Sequence, residues 1–362
     1  MPAPRLPEAQ TAGDARGRAV ELTREGIELL RKGQGREAVT RFAEAVSLVP
    51  DEPILRRNLG LAYARAGEDA DAIRELERYS GQGQEPEVFR VLGELYERQQ
   101  NPRAALGHYR TYLQRVPDAQ GVRARVARLE REQQTEAEFQ RATSRLFRVK
   151  YEGAANERAA YVVLSLLEEA ASRVGLRLGQ HPRREIEVVL YSNQQFRDVT
   201  RAPAWMRAIY DGKVRLPIQG LAGQEGLLRR VVTHEYVHVL LVQVAGLRLP
   251  TWFHEGVAQL EEGAQEDQGA LVAAHRGGTL APLRQLEGPF AELDARAAEL
   301  AYQQSLAVVR FLVTRQAPGV LPDLLAEVAR GAALDDALQR RAGVGTAELD
   351  ARWRASLGGS GG

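Results

Sequence analysis

Two imidazoles at helical spacing are the side chains best placed to do chemistry in this sequence. Three of the six histidines lie within residues 234–254, and the segment HEYVH puts His234 and His238 four positions apart. On a helix, positions i and i+4 share one face, so both rings can bind a single cation, and neutral imidazole nitrogens suit Zn²⁺. Glu235 adjoins the first ligand and can reach a metal-bound water. The spacing therefore predicts a metal-activated water with a carboxylate base beside it.

A third protein ligand is expected from LPTWFHEGVAQLEEG, residues 249–263, which starts a second helix after Pro250. A turn between the two helices would bring Glu255 against the first helix and complete a His₂Glu site with one open position. Gln259 lies one turn after Glu255 and is predicted to hydrogen-bond a ligand imidazole. His254 points about 100° away from its neighbour on a helix, so we expect it behind the ligands or at the pocket wall.

The elements around these residues predict a domain that can hold the site. Valines and leucines flank HEYVH and predict a buried helix over residues 222–245. If that helix were not buried and the second motif were absent, His234 and His238 would be ordinary helix residues and Glu255 an ordinary surface acid. Strands are predicted at 145–153 and 184–192, and a hairpin at 209–220, ahead of a mostly helical region after Pro250. Strands first and helices later favour an α+β domain.

The N-terminal part of the chain repeats itself with spacings of 34 and 33 residues. Three aligned segments share glycine at the eighth position, alanine at the twentieth and a large residue at the twenty-fourth. The residues are Gly26, Gly60 and Gly93, then Ala38, Ala72 and Ala105, then Phe42, Leu76 and Tyr109. The pattern resembles tetratricopeptide repeats. It implies an all-α solenoid whose groove binds a protein partner, or alternatively a rigid spacer or dimerisation surface.

These patterns predict a multidomain chain, an all-α solenoid followed by an α+β domain. Residues 1–16 are expected to form a disordered lead, and 17–118 the three repeats. A charged helix over 119–143 would cap the solenoid and link it onward. The second domain would cover 144–357, followed by a flexible tail at 358–362.

HEYVH followed by PTWFHEGVAQ is similar to the gluzincin zinc metallopeptidases, above all to the bacterial group called peptidase MA-like, whose usual form is HExxH…P.W..EG.A. The resemblance covers about residues 145–315. It implies a zincin-like fold and one Zn²⁺ per chain. It also implies that His234, His238 and Glu255 are the ligands and that Glu235 is the general base.

The same resemblance implies where substrate and oxyanion would lie. The strand before the metal helix is often the edge along which a peptide substrate extends. In this chain that strand supplies Lys213, Val214, Arg215 and Leu216. Gluzincins also provide a Tyr or His that stabilises the oxyanion; Tyr302 is the first candidate and Tyr210 the second. Trp252 is expected to be a core or pocket-wall aromatic that could line the cleft.

The predicted function is hydrolysis of peptide bonds through a metal-activated water, with the repeats recruiting protein partners or substrates. One alternative is a non-hydrolytic, metal-bound scaffold that acts through its repeats. The presence of Glu235 argues against it, because ligation alone does not need that residue. A further alternative is a zinc amidase acting on non-peptide bonds such as cell-wall amides.

Composition narrows the remaining functions. The 362 residues carry 49 Lys+Arg against 48 Asp+Glu, and a net charge of +1 gives no bulk attraction to nucleic acid. The lack of cysteine in the sequence excludes disulfides, cysteine-ligated zinc and a cysteine nucleophile. No run reaches the ~20 apolar residues of a membrane span. We therefore expect neither a nucleic-acid partner nor a transmembrane segment, and a location either in the cytoplasm or outside it after removal of a signal peptide.

Overall fold

The computed structural model forms two compact units, Met1–Gln134 and Thr135–Gly362. It describes residues 8–81, 85–201, 209–210, 212–219, 223–246 and 249–358. Within these ranges, none of the helices combines the length and apolar character needed to cross a bilayer.

The first unit consists of helical hairpins. Its helices are α1 (Glu8–Arg31), α2 (Gly35–Leu48), α3 (Pro53–Ala66), α4 (Asp69–Ser80), α5 (Pro86–Arg98), α6 (Pro102–Arg115) and α7 (Gln120–Thr135). The first six pair as α1–α2, α3–α4 and α5–α6. This all-α arrangement is the one that the repeat pattern predicts.

Each hairpin brings a glycine of its first helix against a large residue of its second. The pairs are Gly26 with Phe42, Gly60 with Leu76, and Gly93 with Tyr109. A Cβ atom added to these glycines would lie only 2.7, 2.7 and 2.4 Å from the partner side chain. The repeated glycine therefore sets the distance between the helices, since any larger residue would force them apart.

Two predicted boundaries in this unit are wrong. Residues 1–16 are not all a disordered lead, because α1 already begins at Glu8. Adding turns to a helix costs little once Ala19 and Leu22 anchor it in the core. The helix predicted over 119–143 ends at Thr135. Residues 140–143 form a strand instead, since their backbone pairs with a neighbouring strand.

The second unit is built on a five-stranded mixed sheet. The strands are β1 (Gln140–Thr143), β2 (Phe147–Tyr151), β3 (Ile186–Tyr191), β4 (Ile209–Tyr210) and β5 (Val214–Pro217), in the order β1-β2-β3-β5-β4. β2, β3 and β5 are parallel, whereas β1 and β4 lie antiparallel to their neighbours at the two edges. The long connection between β2 and β3 is helical, as parallel neighbours require.

Among the described residues, nine α-helices surround this sheet in the chain or follow it. The α-helices are α8 (Glu157–Leu178), α9 (Asn193–Thr200), α10 (Glu225–Ala245), α11 (Thr251–Glu262), α12 (Gln268–Arg276), α13 (Ala295–Phe311), α14 (Leu321–Ala329), α15 (Leu334–Ala342) and α16 (Thr346–Gly358). A π-helical turn, Leu312–Gln316, continues α13. The strands precede most of the helices, and the predicted α+β class is confirmed.

The two faces of the sheet are covered differently. Alternate residues such as Val149, Val188 and Val214 point into the main core, where α8 and α10 pack. The other face carries a smaller cluster around Tyr191 and α9. Period-two alternation along each strand separates the two sets. The metal-motif helix α10 thus lies on the more apolar face.

The other face also holds a cluster of buried charges. Lys150 Nζ lies 3.0 Å from Glu136 Oε2 and 2.9 Å from Glu187 Oε1. Lys213 Nζ lies 3.6 and 3.2 Å from the same two oxygens. Burial raises the pKa of Glu187, but the charges of Lys213 and Lys150 lower it by more, so that the net shift is downward. Pairing therefore makes burial of these charges tolerable.

Candidate metal centre

Helix α10 carries the first two predicted ligands. His234 and His238 lie one turn apart, and their Nε2 atoms are 3.0 Å from each other. The rest of the helix is held in the core by apolar residues, among them Val232, Tyr236 and Val239. The two imidazoles are therefore presented by a rigid element and point to one place.

Helix α11 brings the third predicted ligand to the same place. α10 ends at Gly246, whose φ of +62° and ψ of −140° suit glycine alone, and Pro250 caps the start of α11. Glu255 Oε2 then lies 3.3 Å from His234 Nε2 and 3.6 Å from His238 Nε2. The three side chains each offer an atom, all within 4.8 Å of one another, that could hold a metal ion.

The electrostatics of the cluster favour a cation. Burial raises the pKa of Glu255, but His238 and His234 lower it by more, so this carboxylate stays ionised. Burial lowers the pKa of His234, yet the carboxylates of Glu255 and Glu262 raise it well above its ordinary value. The negative charge that holds a proton on His234 would equally stabilise a bound metal ion.

Glu235 is buried beside the ligands. Burial raises the pKa of its carboxyl, and the charges of Glu255 and Glu262 act in the same direction. His238 and His234 oppose them without reversing the shift. A carboxyl with a raised pKa is better matched to accepting and returning a proton near neutral pH than an exposed one.

Gln259 does not bind a ligand imidazole, contrary to the prediction. Its Nε2 donates to the backbone carbonyl oxygens of Glu255, at 3.2 Å, and Tyr302, at 3.0 Å. The amide is drawn to these groups because α13 passes directly beside α11. Gln259 therefore ties together the two helices that carry Glu255 and Tyr302.

The close passage of α11 and α13 depends on the glycine that follows the third ligand. A Cβ atom on Gly256 would lie 2.4 Å from the carbonyl oxygen of Ser305 and 2.5 Å from Val309 Cγ2. No side chain fits there without moving backbone. The glycine of the EG pair thus has a packing role that fixes the helix carrying Glu255.

Tyr302 and His254 lie near the cluster. Burial raises the pKa of Tyr302, and the charges of Glu255 and Glu235 raise it further. Its ring packs edge-on against Phe290, with centroids 5.2 Å apart. The ring of His254 lies 5.8 Å from that of His238, and burial, then the charge of His238, lowers its pKa to about 4. Tyr302 is thus a protonated phenol, and His254 a neutral imidazole, at neutral pH.

The predicted substrate strand is not an open edge. β4 pairs with the outer side of β5, Ile209 opposite Arg215 and Tyr210 opposite Val214. The hairpin turn at Gly212, where φ is +106°, folds β4 back over β5. The four predicted contact residues are buried: Lys213, Val214, Arg215 and Leu216. The side chain of Tyr210, the second oxyanion candidate, lies outside the described residues.

Trp252 does not line a cleft. It is fully buried in the main core and packs edge-on against Phe253, with ring centroids 5.6 Å apart. At the start of α11, the helix face that carries Trp252 is directed toward the core, and the face that carries Glu255 is directed toward α10. The tryptophan of the second motif is therefore a packing residue.

Two residues near the site were not predicted. Glu262 Oε2, at the end of α11, lies 3.4 Å from His234 Nδ1. Arg173 on α8 donates to the carbonyl oxygen of Glu261, at 3.3 Å, and to Thr233 Oγ1, at 3.1 Å. Both contacts join distant segments, so no local pattern reveals them.

The repeats and the site together define the class of protein. In this class a helical-repeat module precedes an α+β domain that carries a His₂Glu cluster on two successive helices. The family model of the Peptidase MA superfamily matches residues 169–359, just over half of the chain. A tetratricopeptide-repeat model matches residues 29–95. The chain belongs to the Peptidase MA superfamily and carries tetratricopeptide repeats ahead of that domain, which confirms the predicted architecture. Comparison with curated proteins gives no match.

Proposed function

We propose that the chain is a zinc-dependent metallopeptidase that hydrolyses peptide bonds and uses its repeats to recruit a protein partner or substrate. The observation that carries the proposal is the convergence of His234, His238 and Glu255 within 4.8 Å. Glu235 is buried beside them. Membership of the Peptidase MA superfamily supports the same activity.

The three side chains suit a zinc ion. Two imidazole nitrogens and one carboxylate oxygen form a common protein donor set for catalytic zinc, and three protein ligands leave one position for water or substrate. Glu255 Oε2 is buried and has no hydrogen-bond partner within the described ranges. A buried, unsatisfied carboxylate oxygen facing two imidazoles is costly unless a cation satisfies it.

The chemistry divides between the metal and the chain. A bound Zn²⁺ would lower the pKa of its water and polarise the substrate carbonyl. Glu235 would take the proton of the attacking water and deliver it to the leaving amine, a role that suits its raised pKa. Tyr302, which keeps its proton, would donate a hydrogen bond to the oxyanion.

The repeats offer apolar surface that a protein partner could cover. Val20 and Ile27 on α1 are 59% and 40% exposed, and Ile54 on α3 is 46% exposed. The match to tetratricopeptide repeats supports protein recruitment.

The decisive test separates metal binding from turnover. Zinc per chain would be measured by elemental analysis of protein purified without metal-affinity resin, and cleavage would be followed on a library of random peptides. We expect about one zinc in the wild type and in Glu235→Gln, but cleavage in the wild type alone. Glu255→Ala should lose zinc.

Four results would contradict this proposal in different ways. No zinc in the wild type after zinc addition and dialysis would refute the metal site. Full zinc with no cleavage of peptides would favour the scaffold function. Cleavage of cell-wall amides but not of peptides would favour an amidase. Unchanged turnover in Glu235→Gln would remove the general base from the mechanism.

A further inference from the structure

Both nitrogens of one imidazole face carboxylates of α11. Nε2 of His234 lies 3.3 Å from Glu255 Oε2, and Nδ1 lies 3.4 Å from Glu262 Oε2. Glu255 and Glu262 are seven residues apart, and positions i and i+7 share one face of a helix. A single face of α11 therefore contacts both sides of the His234 ring.

The two contacts have different chemistry. An imidazole that binds a metal through Nε2 keeps its proton on Nδ1, and the acceptor at Nδ1 fixes the tautomer and the ring orientation. Glu262 is an acceptor in that place. Gln259, one turn after Glu255, is directed elsewhere, because its Nε2 donates to the backbone carbonyl oxygens of Glu255 and Tyr302.

The position of Glu262 is held from a third helix. Arg173 on α8 donates to the carbonyl oxygen of Glu261 and to the hydroxyl of Thr233. Thr233 directly precedes His234, and Glu261 directly precedes Glu262. Arg177 Nε also lies 3.3 Å from Oε1 of Glu261, whose side chain is only 1% exposed. The segments that bring Glu262 and His234 together are thus both bound by arginines in the same part of α8.

We propose that Glu262 is a positioning residue that accepts a hydrogen bond from Nδ1–H of His234 and so directs Nε2 toward the metal, with Arg173 holding the two segments in register. This inference rests on the proposed zinc site. Removal of a carboxylate behind a metal-binding histidine typically weakens metal affinity about 10- to 100-fold.

The test compares zinc dissociation constants at one pH, measured by competition with a chelator, for the wild type, Glu262→Ala and Glu262→Gln. We expect Glu262→Ala to bind zinc about 10- to 100-fold more weakly. Glu262→Gln should recover most of that loss, because its amide oxygen can still accept a hydrogen bond from Nδ1–H. The matched control is Glu266→Ala, which removes a similarly exposed carboxylate that pairs with Arg310 instead.

Two further readouts exclude a merely structural effect. The cobalt-loaded protein should show an altered visible absorption band in Glu262→Ala but not in Glu262→Gln, since the band reports ligand geometry. The thermal unfolding midpoint of the metal-free variants should stay close to that of the metal-free wild type. If Glu262→Ala does not fold, Glu262→Met, which keeps the length of the side chain but offers no oxygen acceptor to Nδ1–H, takes its place in the comparison.

The outcomes separate this inference from the proposed function. A wild type that binds no zinc refutes both. A wild type with one zinc and a Glu262→Ala variant within twofold of its affinity overturns the role of Glu262 alone. Glu262→Gln as weak as Glu262→Ala would also overturn it, because orientation by a hydrogen bond requires rescue.

Discussion

Replacing Gly256 by alanine tests whether helix packing, rather than the ligands alone, maintains the site. The new Cβ atom would lie 2.4 Å from the carbonyl oxygen of Ser305, where ordinary contact begins near 3.4 Å. α11 and α13 must therefore separate by about 1 Å at this point. The backbone oxygen cannot rotate away, since Ser305 lies in the middle of α13.

The size of the effect follows from two opposing terms. Alanine has the higher helix propensity, which favours the variant by up to about 1 kcal/mol. Overpacking a core costs about 1–3 kcal/mol, and more where backbone must move. We expect a net loss of about 1–3 kcal/mol, which lowers the Tm of a domain of this size by roughly 2–10 °C. The same displacement moves Glu255, and a shift of ~1 Å can reduce turnover about 100-fold.

The assay measures the Tm, the zinc dissociation constant and peptide cleavage for Gly256→Ala. The control is Gly226→Ala in the first turn of α10, an exposed position with no atom within 4 Å of the new Cβ. The control should be as stable as the wild type or slightly more so. Wild-type stability together with wild-type zinc affinity in Gly256→Ala would refute the reasoning, because the close contact would then have no consequence.

Two further predictions concern other parts of the chain. Lys213 and Lys150 lower the pKa of Glu187 in the folded protein. The ionised carboxylate therefore stabilises the fold fully above the unfolded pKa of ~4.3, and this contribution is lost as the pH falls through the folded pKa. Urea unfolding at pH 7 and pH 3.5 should therefore show a smaller pH dependence in Glu187→Gln; an unchanged difference would contradict the assignment. In the repeats, Gly93→Ala places a Cβ atom 2.4 Å from the Tyr109 ring. This substitution should lower the free energy of unfolding, measured in denaturant, by about 1–3 kcal/mol. An unchanged free energy of unfolding would be inconsistent with the close approach of the two helices.

The cluster of His234, His238 and Glu255 could be predicted because it is local. His234 and His238 are one helical turn apart, and Glu255 lies on the next helix, so spacing and one turn suffice to bring them together. The repeats were predictable for a similar reason, since a glycine and its large partner recur within each hairpin. Patterns of this kind encode contacts between neighbours in sequence.

The errors and omissions at the site concern contacts between distant segments. Gln259 looks like a partner for an imidazole until α13 supplies the Tyr302 carbonyl oxygen. No local pattern places Glu262 beside His234, where Arg173 helps to hold the end of α11. In each case the local sequence is compatible with more than one role for the side chain, and tertiary packing determines which role it has.

The sequence separations within the site imply an order of assembly. The three residues of the candidate metal site come from residues 234–255, so closing the loop between them costs little entropy. Arg173, by contrast, joins Thr233 across 60 residues and Glu261 across 88. Contacts across such distances form late, because much of the chain must already be in place. We therefore expect the folding chain to assemble the α10–α11 hairpin first and to acquire the contacts that hold the segment around His234 only when α8 docks.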